Sequence, residues 1–174
     1  MTDSRLGSSG ARFWIEELGL APHPEGGWFR ETYRAAESVP AGGLPPRYGG
    51  PRAFSTSIYF LLASGQASRL HRLASDEVWH FYAGGPLRFH VFGEGGTYRI
   101  FLLGCDARRG QSLQAVLPGS ATFGAEVVGG RSYALCGCTV APGFEFADFA
   151  FGRRDQLLDR FPRQRAVIER LSRT

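Results

Sequence analysis

His71 has the sequence surroundings that acid–base chemistry asks for. It lies in a run of Gly65, five residues, His71, one residue, Leu73, three residues, Glu77, six residues and Gly84. Alternation along a strand turns His71 and Leu73 to one face. The turn Ala74 to Asp76 then brings Glu77 onto the neighbouring strand, facing the same interior. An imidazole titrates near neutrality, and a carboxylate beside it orients the ring and favours its charged form. His71 and Glu77 are therefore the catalytic candidates. Trp79 and Phe81 share the parity of Glu77 and are candidates for the apolar wall of a ligand cavity. His80 and His90 fall on the opposite parity, with Tyr82 and Arg88, and are expected on an outer or dimer-facing surface.

A second informative stretch opens the chain: His23-Pro24-Glu25-Gly26-Gly27-Trp28-Phe29-Arg30-Glu31-Thr32-Tyr33. A glycine pair permits positive φ or a close backbone approach. The turn beside His23 and Glu25 is expected at the mouth of the pocket, and Glu25, Phe29 and Glu31 are its ligand-binding candidates.

The Gly65 to Gly84 run resembles the first cupin motif: glycine, five residues, His-x-His, three or four residues, Glu, six residues and glycine. In cupins both His and the Glu ligate a metal inside a jelly-roll barrel; here Leu73 stands for the second His. Of the second cupin motif Pro118 is kept, while Ser112, Ser120 and Phe123 occupy the two glycine positions and the His position. A catalytic metal usually has three protein ligands. The resemblance leaves His71 and Glu77 as the metal-ligand positions, so neither a bound metal nor another cofactor is expected. Phe123, at the place of the lost ligand, joins the ligand-binding candidates, although ordinary core packing explains it as well.

From about residue 11 to 171 the chain is similar to the cupin-five family. That similarity rests on the opening stretch and on Ser55 to Leu62, Ser75-Asp76-Glu77-Val78-Trp79-His80-Phe81-Tyr82-Ala83-Gly84 and Gly137 to Phe144. It implies a dimeric cupin that holds a small molecule. A fainter resemblance is to the metal-free deoxythymidine-diphosphate-sugar epimerases, whose opening strand carries Arg-Gly-x-Phe-x-Glu. Gly27-Trp28-Phe29-Arg30-Glu31 matches its later part, with Gly26 in place of the Arg. In those enzymes the Phe and Glu touch the nucleotide, and the histidine base follows a leucine as His71 follows Leu70.

The elements that would position these residues are mostly strands. Alternating runs are expected over Phe54 to Leu62, Ser68 to Leu73, Glu77 to Tyr82, Leu87 to Phe92, Thr97 to Leu103, Leu113 to Leu117, Ala121 to Val127, Ser132 to Val140 and Phe144 to Phe149. Gly93-Glu94-Gly95-Gly96 reads as a hairpin, and Gly129-Gly130 as another. A short helix is expected from about Ala11 to Leu18, and two more after Gly152, separated by Pro162. The prediction is an all-β, antiparallel jelly roll with helices at its ends. It forms one domain over residues 1–174, flexible over 1–10.

Composition sets the outer limits. At 174 residues, 43% hydrophobic, with 24 glycines and 10 prolines, the chain is a turn-rich globular domain. No apolar run reaches the roughly 20 residues of a membrane span, and no leader pattern opens the chain, so a cytoplasmic protein is expected. The net charge of +4 comes from arginines alone, mostly interspersed with acids, which argues against a nucleic-acid surface. Three cysteines without paired spacing argue against a disulfide framework. The leading reading is a metal-independent epimerase or isomerase, a homodimer, acting on a small polar or sugar-like molecule, with His71 as base and Glu77 orienting it. Its rivals are a metabolite-binding or sensor protein without catalysis, and a metal-dependent dioxygenase or lyase.

Overall fold

The computed structural model describes residues 9–131 and 133–173. Strands with one apolar face must cover it, and here two sheets cover each other. The first sheet has the order β1 (Ala21–Pro22), β2 (Trp28–Arg34), β5 (Thr56–Ala63), β13 (Tyr133–Val140), β7 (Glu77–Gly84), β11 (Gln114–Leu117). The second has the order β10 (Gln111–Ser112), β9 (Tyr98–Leu103), β8 (Leu87–Phe92), β12 (Thr122–Val127), β6 (Ala67–Arg72), β14 (Ala150–Phe151). A short ribbon of β3 (Ser38–Val39) and β4 (Arg52–Ala53) lies apart from them. Pairing is antiparallel except between β10 and β9.

Between the sheets Phe60, Trp79, Leu87, Phe89, Phe123 and Cys136 form the central core. Burying each large apolar side chain contributes roughly 1.5–3 kcal/mol. The outer faces are covered unequally. Helix α1 (Ser9–Glu17) packs over Leu61 and Leu135 at one end of the first sheet. Helices α2 (Arg154–Arg160) and α3 (Arg165–Leu171) press Leu157, Phe161, Ile168 and Leu171 onto Leu70 and Phe92 of the second. Pro162 opens the short turn that separates them, as expected. No helix among the described residues is long and apolar enough to cross a membrane.

Several expectations are corrected. Gly93 to Gly96 does close a hairpin between β8 and β9, but Gly129-Gly130 does not. Both edges of β12 are already taken by β8 and β6, so β13 must cross to the first sheet, between β5 and β7. The turn Ala74 to Asp76 is also a crossover. Glu77 therefore faces His71 from the opposite sheet, not from the neighbouring strand. Phe144 to Phe149 is no strand: it passes through a 3₁₀ turn at Phe146–Asp148 before the short β14. Side chains hold it in place of a ladder, with Arg52 gripping Asp148 through two bonds of 2.6 and 2.7 Å and Arg34 bonding the Phe144 carbonyl at 3.2 Å. His90 lies on an outer face yet is buried, bonded to Tyr98 and to Glu126, which Arg170 of α3 also holds. The flexible stretch expected over 1–10 lies outside the described residues up to residue 8, while Ser9 and Gly10 open α1; Ser132 also lies outside.

Candidate functional site

The site begins with a turn between β1 and β2. The Gly26 N–H donates to the His23 carbonyl and the His23 N–H to the Gly27 carbonyl, both at 3.0 Å. Gly26 and Gly27 have φ of +108° and +76°, a region L side chains rarely adopt. A Cβ on Gly26 would run into the Ala67 carbonyl oxygen of β6, and one on Gly27 would sit 2.7 Å from the Leu61 carbonyl of β5. Without side chains the turn presses against both sheets at once. That close approach delivers Glu25 to the interior. Its carbonyl accepts from the Arg69 N–H at 2.8 Å, and its Oε1 accepts from the Ser68 hydroxyl at 2.7 Å.

His71 reaches the same point from β6. Its Nδ1 lies 2.6 Å from the Arg69 carbonyl, which can only accept, so Nδ1 carries the hydrogen. Its Nε2 lies 3.1 Å from Glu25 Oε2. Burial pushes the Glu25 carboxyl up to about 8, against the opposing bond from Ser68. Burial also lowers His71 below the ordinary imidazole value, against the Arg69 carbonyl and the charge of Glu77. Both directions place the shared proton on Glu25, donated to a neutral imidazole. The carboxylate that holds His71 is thus Glu25; the expected orienting role of Glu77 is corrected.

Glu77 enters from β7. Its Oε2 accepts from the Trp79 indole N–H at 2.7 Å. Burial, and next the charge of Glu25, push Glu77 up to about 7, while His71, Trp79 and the Cys138 thiol pull the other way. His23 completes the group. The backbone N–H of Glu25 points at its Nδ1 at 3.3 Å, so Nε2 carries the ring hydrogen, and burial lowers this imidazole to about 4.

These groups line one cavity of about 90 Å³. Glu25, Phe29, Glu31, His71, Glu77 and Trp79 all line it. Glu25 sits at its buried base, not at its mouth. Phe81 and Phe123 do not line it: Phe81 packs into the core beyond Trp79, and Phe123 stands behind His71 with its ring centroid 4.3 Å away. Leu73 lines the cavity in the place of a second His. At the mouth Arg34 bonds Glu31 at 2.8 and 3.1 Å and Glu145 at 2.7 Å. Phe144, Phe146 and Phe149 close over the rest. Sequence reasoning missed Ser68, Arg34, Glu145 and these aromatics, which only the folded chain gathers.

The metal implied by the cupin resemblance does not fit this donor set. Leu73 and Phe123 are hydrocarbon, and both nitrogens of His71 already have protein partners. Among the described residues no group of three or more His, Cys, Asp and Glu side chains could hold a metal ion.

Comparison with known proteins agrees with this architecture. A hypothetical protein from Leishmania major superposes with a TM-score of 0.84 and 38% identity, covering 94% of this chain and 99% of that one. Protein SO0799 from Shewanella oneidensis gives 0.83 and 35%, covering 94% and 97%. An oxalate decarboxylase of Bacillus subtilis, 16% identical with a TM-score of 0.52, covers 86% of this chain and 36% of its own, and shares the fold alone. The model of the cupin superfamily family DUF985 matches residues 12–152, and the chain belongs to that family.

Proposed function

We propose that the cavity binds a small polar molecule and moves a proton on it, as an epimerase or isomerase would. The observation that carries this reading is the pair of buried carboxyls facing one space, one of them sharing its proton with an imidazole. Two titratable groups held near neutrality in one enclosure suit an acid and a base. Glu77, pushed to about 7, is present as carboxylate in a large fraction of molecules and takes a proton from the substrate. Glu25, protonated beside His71, returns one. His71 supports that transfer by holding Glu25 in place: its Nε2 accepts the Glu25 hydrogen, while its Nδ1–H stays anchored on the Arg69 carbonyl.

A second copy of the chain is proposed to cover the outer face of the first sheet, where α1 shields one end and Tyr82 and Val116 stay exposed. The free thiols of Cys105, Cys136 and Cys138 suit a reducing, cytoplasmic setting.

The test begins with native mass spectrometry of the purified protein to identify what occupies the cavity. That molecule is then incubated with the protein in heavy water. Deuterium should enter it, and Glu77→Gln or His71→Ala should slow this by roughly 10²- to 10⁴-fold. The double variant should lose scarcely more, because the groups act as one unit. Binding without exchange in the unmodified protein would establish a metabolite-binding protein instead.

A further inference from the structure

The charges around the cavity decide which ligands it can hold, an inference that rests on the binding reading above. Arg34 is the one arginine among the described lining residues, and its guanidinium already makes four bonds, which leaves one Nη1 hydrogen. Nε and Nη2 fork onto Glu31, Nη1 goes to Glu145, and Nη2 also reaches the Phe144 carbonyl at 3.2 Å. An entering carboxylate or phosphate would find at most that one hydrogen, beside two carboxylates that already neutralise the guanidinium, unless it displaced one of them. Of the imidazoles, His71 is held between Arg69 and Glu25, and neutral His23, whose Nδ1 accepts the Glu25 backbone N–H, offers an anion only its uncharged Nε2–H.

With Arg34 counted against both, Glu31 and Glu145 leave the mouth net negative, and Glu77 adds charge at the base. Much of the remaining wall is aromatic, with Ile58, Leu73 and Val140 beside it. His23 packs edge-on against Phe29 at 4.6 Å and lies 6.2 Å from both Phe146 and Phe149, and Trp79 stands beside Glu77. Aromatic faces attract a cation most strongly where water is excluded, and carboxylates at the same enclosure add to that attraction. Anions meet the opposite field. We propose that the ligand of this cavity is a small organic cation, a molecule carrying an ammonium group, and that anionic metabolites are refused.

Three probes of matched shape test this: choline, its uncharged carbon analogue tert-butylethanol, and the anion tert-butylacetate. Binding is read by calorimetry and by the indole N–H resonance of Trp79. Choline should bind about 2- to 30-fold more tightly than tert-butylethanol, with tert-butylacetate weakest. In Glu31→Gln/Glu145→Gln the Arg34 guanidinium is released. There choline should lose its advantage and tert-butylacetate should gain roughly 10-fold. Equal or better binding of the neutral or anionic probe to the unmodified protein overturns the charge assignment but leaves the cavity as a binding site. If none of the three moves the Trp79 resonance at up to about 10 mM, in the range where even weak ligands register, the binding reading itself falls with it.

Discussion

The burial of Glu77 has a direct consequence for stability. Its carboxyl, ordinarily near 4.5, is pushed to about 7 in the folded chain, first by burial and then by the charge of Glu25. The folded state therefore keeps a proton that the unfolded state gives up, and stability falls as pH rises between the two values. Each unit of pH in that window is worth about 1.4 kcal/mol. The loss reaches about 1.4 kcal/mol by pH 5.5 and about 3 kcal/mol by pH 7, then levels off. Glu77→Gln removes the titration and keeps an oxygen for the Trp79 indole N–H, now 2.7 Å from the carboxyl. Urea unfolding of both proteins from about pH 4 to 8 isolates the effect, since every other titrating group is common to both. Near pH 4 the two should be similar. Near pH 8 the variant should be the more stable by about 3 kcal/mol. A gap that stays flat with pH, or a parent protein that is the more stable at pH 8, would refute the assignment of a buried Glu77 whose carboxyl is pushed up to about 7.

Gly26→Ala forces a Cβ toward the Ala67 carbonyl at a φ of +108°, so it should cost at least about 2 kcal/mol in the same unfolding assay and displace Glu25 from His71. Elemental analysis of the purified protein should find far less than one transition metal per chain. Leu73→His, which returns an imidazole to the cavity wall, should raise metal uptake; no increase would show that the remaining donors cannot be drawn together. Light scattering at micromolar concentration should give the mass of a dimer, and a strictly monomeric mass would leave the exposed face around Tyr82 and Val116 without its proposed cover.

Local periodicity carries the barrel in this sequence. Leu87 to Phe92 is a strand with the expected bounds because its alternation is unbroken and turns flank it. The site is less legible because its key residues lie where alternation fails. Gly26 and Gly27, both at positive φ, break the count before Trp28, so parity carried back along β2 does not reach Glu25. Ser68 and His71 stand three apart yet both face Glu25, because the β6–β12 register shifts between Phe123 and Ala125. Strict alternation from His71 would have turned Ser68 to the outside.

The strap from Phe144 to Phe149 shows the other source of error. Phe144 and Phe146 alternate with Glu145 like a strand, but the alternation stops before Phe149, and Phe146 stays half exposed. These side chains line a cavity in place of a sheet. Arg34 and Glu145 are 111 residues apart and Arg52 and Asp148 are 96 apart, so neither anchor leaves a local signature. The Arg52–Asp148 pair is nonetheless what holds this segment over the cavity, with both side chains about 5% exposed or less. Removing one partner of a buried pair leaves the other uncompensated, at a cost of about 3–5 kcal/mol. Phe146 and Phe149 thus stand beside His23 through ionic anchoring at Asp148 and Glu145, and the aromatic wall of the cavity depends in part on a charge pair, Arg52–Asp148, that does not line it.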